Sequence, residues 1–144
     1  MSEQSGEQYP RLARNRHSER GVSTVEFAAL FPVFMMLVLA TFDFGRAYFE
    51  QHVLLEAAQV AARVGTLPDK SNSEVVAAAR EVLESAGITV DESNVYTSNA
   101  GSNGESGDIT TVEVEYDFKP VVGQLFSTWG EAFTLSKVVK MRHE

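Results

Sequence analysis

A single carboxylate, Glu26, lies near the start of the longest apolar stretch of the chain. No charged residue follows it from Phe27 to Phe42. An ionised side chain inside a membrane-spanning segment costs a few kcal/mol near the bilayer centre. Because Glu26 follows Arg20 by only six residues, it lies shallow and its cost is smaller. Glu26 is then either an interfacial side chain that reaches water or stays protonated, or a carboxylate that pairs with a cation in a dry helical core.

The residues just before Glu26 indicate where such a cation could arise. Gly21 separates a basic segment from the apolar stretch, and a glycine lets another backbone approach closely. A peptidase that cut after Gly21 would free the α-amine of Val22. That amine, supplied by a neighbouring subunit, would offset the charge of Glu26. Such a cut would make Gly21 and Val22 a processing site, and it would give Glu26 a role in the pairing or recognition of subunits.

The rest of the sequence offers little for catalysis. The three histidines are far apart in the chain, and no zinc-protease motif, phosphate loop or nucleophile elbow is present. There are no cysteines, which excludes disulfides and cysteine-bound metal. Glu113, Glu115 and Asp117 alternate along a predicted strand, which is typical of a solvated face, with weak calcium binding as the alternative. We predict no enzymatic activity, no metal and no cofactor.

The elements that would hold these residues begin with a membrane helix. The segment from Val22 to Phe44 contains only two charged residues, Glu26 and Asp43. Its length is about that of a helix that crosses a bilayer. Four arginines precede this segment and predict a cytoplasmic N-terminus and an external C-terminal part; they are Arg11, Arg14, Arg16 and Arg20. The net charge of -8 makes nucleic acid an unsuitable partner. The predicted divisions are a leader (1–21), a transmembrane helix (22–44), a continuing amphipathic helix (45–67) and an extracytoplasmic head (68–144).

The amphipathic helix carries one polar stripe and is apolar elsewhere. The stripe is formed by His52, Glu56, Gln59 and Arg63. Small residues that would let another helix approach closely lie on the apolar sides; they are Ala57, Ala58, Ala61, Ala62 and Gly65. Two partners fit these sides: the head of the same chain, or the helices of other subunits. Within the predicted transmembrane helix, Pro32 should weaken or kink the helix.

The remaining sequence predicts a small α+β head. Ser71 and Glu74 have the spacing of a capping box, and Gly87 ends the helix that they begin. Ile88–Val90 and Val95–Tyr96 are predicted as short strand pieces, followed by a Ser/Asn/Gly loop. Ile109–Phe118 and Phe133–Met141 alternate as longer strands, and 120–130 is predicted as a short helix or turn that carries Leu125, Phe126 and Trp129. The fold class is therefore α+β, with a long N-terminal helix packed on a small antiparallel sheet.

Three motifs, in order, carry a family resemblance. They are Gly21-Val-Ser-Thr-Val-Glu26-Phe27-Ala-Ala-Leu-Phe-Pro32, Phe44-Gly45-Arg46-Ala47 and Ala57-Ala-Gln-Val-Ala-Ala-Arg63-Val-Gly65. This order resembles the TadE-like family of tight-adherence (Tad) pilus pseudopilins. The resemblance implies a minor pilin-like subunit that a prepilin peptidase cuts after Gly21. It also implies other pilins and pilus assembly platform proteins as partners, and a role in processing or recruitment for Glu26. The chain departs from common type IV pilins in having Val22 rather than Phe after the cut, which leaves N-methylation open.

Two other interpretations use the same residues. Val38-Leu39-Ala40 fits a signal-peptidase site and would yield a secreted soluble domain that begins at Thr41. Alternatively, the first helix is an uncleaved anchor of an extracytoplasmic domain, in which case Glu26 is dispensable.

Overall fold

The computed structural model describes residues 16–101, 104–125 and 132–143. Its order of elements confirms the α+β class: two helices, a three-stranded sheet and a third, short helix. The elements are α1 (Arg16–Gly65), α2 (Asn72–Ser85), a 3₁₀ turn (Glu92–Asn94), β1 (Val95–Ser98), β2 (Ile109–Phe118), α3 (Val121–Leu125) and β3 (Phe133–Arg142). The chain divides into two compact units, Met1–Leu37 and Val38–Glu144.

The first unit contains the apolar beginning of α1. The helix begins at Arg16, inside the predicted leader, and Pro32 lies within it without interrupting the helix. An 18-residue window of this helix has a mean hydropathy of 2.1, and none of the window is buried. Among the described residues, one helix is therefore long and apolar enough to cross a membrane. The part of the predicted leader before Arg16 lies outside the described residues.

The second unit is built on an antiparallel sheet with the strand order β1-β2-β3. The register pairs Val95 with Val114 and Val112 with Val139. Alternate β2 residues face the core and are buried, as the sequence pattern predicts; they are Thr110, Val112, Val114 and Phe118. The helix α2 adds one buried face to the same core, formed by Val75, Ala79 and Leu83.

The later turns of α1 complete this core. The alanines of this part of the helix are fully buried together with Leu54; they are Ala57, Ala58, Ala61 and Ala62. The polar stripe predicted from the sequence is exposed, as expected for an amphipathic helix with one wet face. The helix is thus packed on the head of its own chain.

A capping box and a close backbone contact fix two loops of the head. The predicted capping box at α2 is present: Ser71 Oγ accepts from the Glu74 amide, and the Ser71 amide donates to Glu74 Oε2 at 2.9 Å. Gly101 has a positive φ and packs so closely on the carbonyl of Lys70 that a side chain would clash with that backbone. Both devices fix loops that return the chain to the core.

The strand predictions need two corrections. Ile88–Val90 does not form a strand: Ile88 and Val90 are buried as an irregular segment, so their apolar character reflects core packing rather than sheet pairing. The strand at Val95 extends to Ser98 and takes the first residues of the predicted loop. The short helix predicted after Pro120 is α3, whereas Phe126 and Trp129 lie outside the described residues.

Candidate functional site

The predicted processing site lies on an exposed stretch of α1. Gly21 and Val22 are both exposed, and a β-carbon placed on Gly21 would have no atom within 4 Å. Nothing in the described chain therefore requires a glycine at this position. A glycine inside a helix costs about 0.5–1 kcal/mol relative to alanine. Access for another molecule to the backbone is a use that would offset that cost.

Glu26 lies one helical turn further along the same unit. Its side chain is exposed and makes no hydrogen bond or ion pair with another described residue. Its neighbours are apolar and also exposed, including Phe27 and Phe31, whose ring centroids lie 5.7 Å apart. A carboxylate among exposed apolar side chains is suited to meeting a cation from outside the chain. The structure brings Gly21, Val22 and Glu26 together on one continuous stretch of helix.

The small residues of the amphipathic helix have a different environment. Ala57, Ala58, Ala61 and Ala62 are fully buried in the core of the head. Gly65 is also buried, and a β-carbon on it would lie 2.9 Å from Thr110 Cγ2 and 3.2 Å from Ala100 Cβ. In this fold these five residues contact their own chain, so they set the approach of α1 to the sheet.

Asp43 has a role that its place in the sequence does not reveal. It is buried, and its two carboxylate oxygens accept from the backbone amides of Val121 and Val122 at 2.9 and 2.8 Å. A carboxylate that accepts two amides at the start of a helical turn is a strong cap, because each bond is charge-assisted. Asp43 therefore anchors α3 to α1 across 78 residues of sequence.

Arg46 and Glu50 lie on the same face of α1 as Asp43, and the three side chains form a charged cluster. Arg46 Nη2 donates to Glu50 Oε1 at 3.3 Å, and Arg46 Nη1 lies 3.9 Å from Asp43 Oδ1. The guanidinium also lies over the ring of Phe118, 5.3 Å from its centroid. Glu50 Oε2 is buried, and no described residue donates a hydrogen bond to it. The cluster thus holds one arginine between two buried carboxylates.

Tyr116 borders the cluster and an open pocket beside it. Burial raises the pKa of the Tyr116 hydroxyl, and the negative charge of Glu50 raises it further, against the opposing effect of Arg46. The pocket has a volume of about 470 Å³. Its lining mixes both signs of charge, with Arg46 and Lys119 against Asp91 and Asp117. This balance gives no preference for an anion or a cation.

The acidic side chains predicted on one face of β2 lie partly or fully exposed at the surface of the head. Glu113 and Glu115 are half-buried, and Asp117 accepts a hydrogen bond from Thr134 Oγ1 at 2.8 Å. Within the described ranges, no group of three or more histidine, aspartate or glutamate side chains could hold a metal ion.

Sequence reasoning missed the charged cluster, although its signal was present. Asp43, Arg46 and Glu50 have spacings of three and four, which places them on one helical face. That face continues directly into Leu54 and Ala57, which are buried. Asp43 is one of only two charges in the predicted membrane segment, yet the helical face to which it belongs leads into the core.

An exposed apolar helix followed by an α+β head is the layout of a membrane-anchored, pilin-like protein. A protein-family model described as TadE-like protein matches residues 21–63 of the chain. The match confirms the TadE-like identification on the stretch whose motifs carried it, and indicates a pilin-like protein associated with the Tad pilus. No curated protein and no solved structure matches the chain.

Proposed function

We propose that this chain is a minor pilin subunit of a Tad pilus, processed after Gly21 by a prepilin peptidase and assembled through its N-terminal helix. The observation that carries the proposal is the TadE-like match over 21–63, which includes Gly21 and Glu26. The exposure of both residues on an apolar helix supports it, because a peptidase and a neighbouring subunit must each reach them.

The proposed subunit has four parts with separate tasks. The leader (1–21) stays in the cytoplasm, and the segment 22–44 anchors the protein in the cytoplasmic membrane. The segment 45–67 joins this anchor to the external head (68–144). The role is structural rather than catalytic, so the chemistry of processing belongs to the peptidase.

In the proposed mechanism, cleavage changes the charge at the start of the helix. The basic leader is removed, and Val22 acquires an α-amine. In the filament this amine pairs with Glu26 of a neighbouring subunit, and each charge offsets the other in an apolar environment. During assembly, the exposed apolar side chains of the N-terminal helix leave the lipid and contact the helices of other pilins. Other pilins and the assembly platform are therefore the proposed partners.

The test of processing is the N-terminus and intact mass of the protein from its native membranes and from the sheared surface fraction. We expect a start at Val22, with any added methyl group visible in the mass. A start at Thr41 or an intact leader would contradict the proposal. Gly21→Leu should block processing, whereas Gly45→Leu should not, because Gly45 is equally open and lies further along the same helix.

The test of pairing compares two exposed carboxylates on α1. Glu26→Ala should strongly reduce the amount of surface pili, whereas Glu56→Ala should leave piliation unchanged. Hydrogen exchange of the β2 amides should be the same in both variants, which would show that the head is intact. Normal piliation with Glu26→Ala would refute the pairing.

A further inference from the structure

The exposed surface of α1 between Phe27 and Leu55 carries no carboxylate. The sequence has two acidic residues in this range, Asp43 and Glu50, and both are buried in the head. Arg46, the only arginine or lysine in the range, forms ion pairs with both of them. The two carboxylates that would end a membrane segment in the sequence are therefore buried, whereas the Arg46 side chain stays partly exposed beside them.

The opposite face of the helix is aromatic over the same turns. Phe44, Tyr48 and Phe49 are 74%, 60% and 57% exposed, and Phe42 is exposed beside them. The ring of Tyr48 packs edge-on against His52, with the centroids 4.5 Å apart. Tyrosine and tryptophan, whose rings have an apolar body and a polar edge, are enriched where a bilayer meets water. We refer to Phe42, Phe44, Tyr48, Phe49 and His52 as the aromatic collar.

We infer that the aromatic collar contacts the outer lipid interface, so that the membrane-embedded surface of α1 continues beyond Phe44 to Phe49. A helix needs about 20 apolar residues to cross the hydrocarbon core. The surface from Phe27 to Leu55 is longer than that, and its last turns reach the headgroup region. Two arguments favour lipid as the occupant: the three exposed phenylalanines continue the exposed apolar helix, and Tyr48 is of a type enriched at the interface.

The head is thereby held close to the membrane surface. The buried cluster on the opposite face lets the helix pass through the headgroup region without an exposed acid. The first exposed carboxylate after Glu26 is Glu56, on the polar stripe. The inference rests on the membrane anchoring within the proposed function. It identifies the aromatic collar as the place where the membrane-embedded surface of α1 ends.

The test uses spin labels on the full chain, which has no native cysteine. Leu30→Cys, Tyr48→Cys, Phe49→Cys and Glu56→Cys are each labelled with a nitroxide and reconstituted at low density. The vesicles are phosphatidylcholine with a minority of phosphatidylglycerol. Relaxation by oxygen, which concentrates in lipid, is compared with relaxation by a water-soluble nickel chelate. We expect Tyr48 and Phe49 to be accessible to oxygen and protected from nickel, between the values at Leu30 and Glu56.

Each contrary result has a separate meaning. Nickel accessibility at Tyr48 and Phe49 equal to that at Glu56, with Leu30 still protected, would overturn the inference and leave the anchor intact. Nickel accessibility at Leu30 would contradict the membrane anchoring of the proposed function itself. Shielding of Tyr48 and Phe49 from both reagents would show that a second copy covers the collar, and would also overturn the inference.

Discussion

The two ends of α1 are both rich in apolar residues, yet they solve different problems. Near its start, large side chains such as Val25, Phe27 and Leu30 are exposed. Near its end, Leu54 and the alanines Ala57 and Ala58 are fully buried. The first half leaves bulky apolar side chains exposed, whereas the second uses small residues to bring its backbone close to the head. Hydrophobicity alone therefore does not tell which partner a helix has.

The largest expected effect compares the same substitution in the two halves. Leu54→Ala should destabilise the head by about 2–5 kcal/mol, because it leaves a cavity in the core. Leu30→Ala should leave the stability of the head unchanged, because Leu30 is exposed. Hydrogen exchange of the β2 amides, measured on the full chain in detergent micelles, checks both. Equal losses of protection would contradict the division of the helix.

The next expected effect adds bulk instead of removing it. Ala58→Leu should destabilise the head by roughly 1–3 kcal/mol, because the buried position has no room for extra methylene groups. Ala29→Leu places the same bulk on an exposed position of the first half and should have no effect on the head. Denaturant unfolding followed by protection of the β2 amides distinguishes the two. A silent Ala58→Leu variant would show that the second half is loosely packed.

A smaller and more local effect tests the link between Asp43 and α3. Asp43→Ala removes the acceptor for two amides, and we expect a loss of about 1–3 kcal/mol. Protection of the Val121 and Val122 amides should fall more than that of β2. Asp91→Ala is the control, since Asp91 is exposed and makes no side-chain capping bond. A uniform loss across the sheet would mean that Asp43 supports the whole core rather than α3.

The smallest effect is a pH dependence at the cap of α2. Hydrogen bonds from Ser71, then from Lys70, lower the pKa of Glu74 from 4.5 to about 2. Because the folded pKa is depressed, the cap stabilises α2 fully above pH 4.5 and loses this contribution as the pH falls toward 2. Exchange at the first-turn amides of α2 should accelerate across this window. Glu74→Gln should abolish the acceleration, and an unchanged profile in that variant would exclude Glu74 as its source.

Much of the candidate site was accessible from local sequence patterns. The order of Gly21, Glu26 and the apolar run predicted the TadE-like segment, and the family match confirms that segment. Gly21 and Glu26 remain predictions in their roles, because processing and pairing depend on molecules outside the chain. The destination of the small residues was open in the sequence, since an alanine face fits the head of its own chain or a neighbouring helix equally well.

Elements whose signals are local could be predicted from the sequence. The apolar run, the capping box at Ser71 and Glu74 and the alternation of β2 each depend on residues a few positions apart. The burial of the carboxylates Asp43 and Glu50, in contrast, depends on contacts between distant parts of the chain. Asp43 meets Val121 and Val122 across 78 and 79 residues, and Arg46 lies over the ring of Phe118, at the end of β2. Contacts over such distances depend on how the whole head packs. For this reason local sequence places Asp43 in a membrane segment, whereas in the folded chain it is buried in the head.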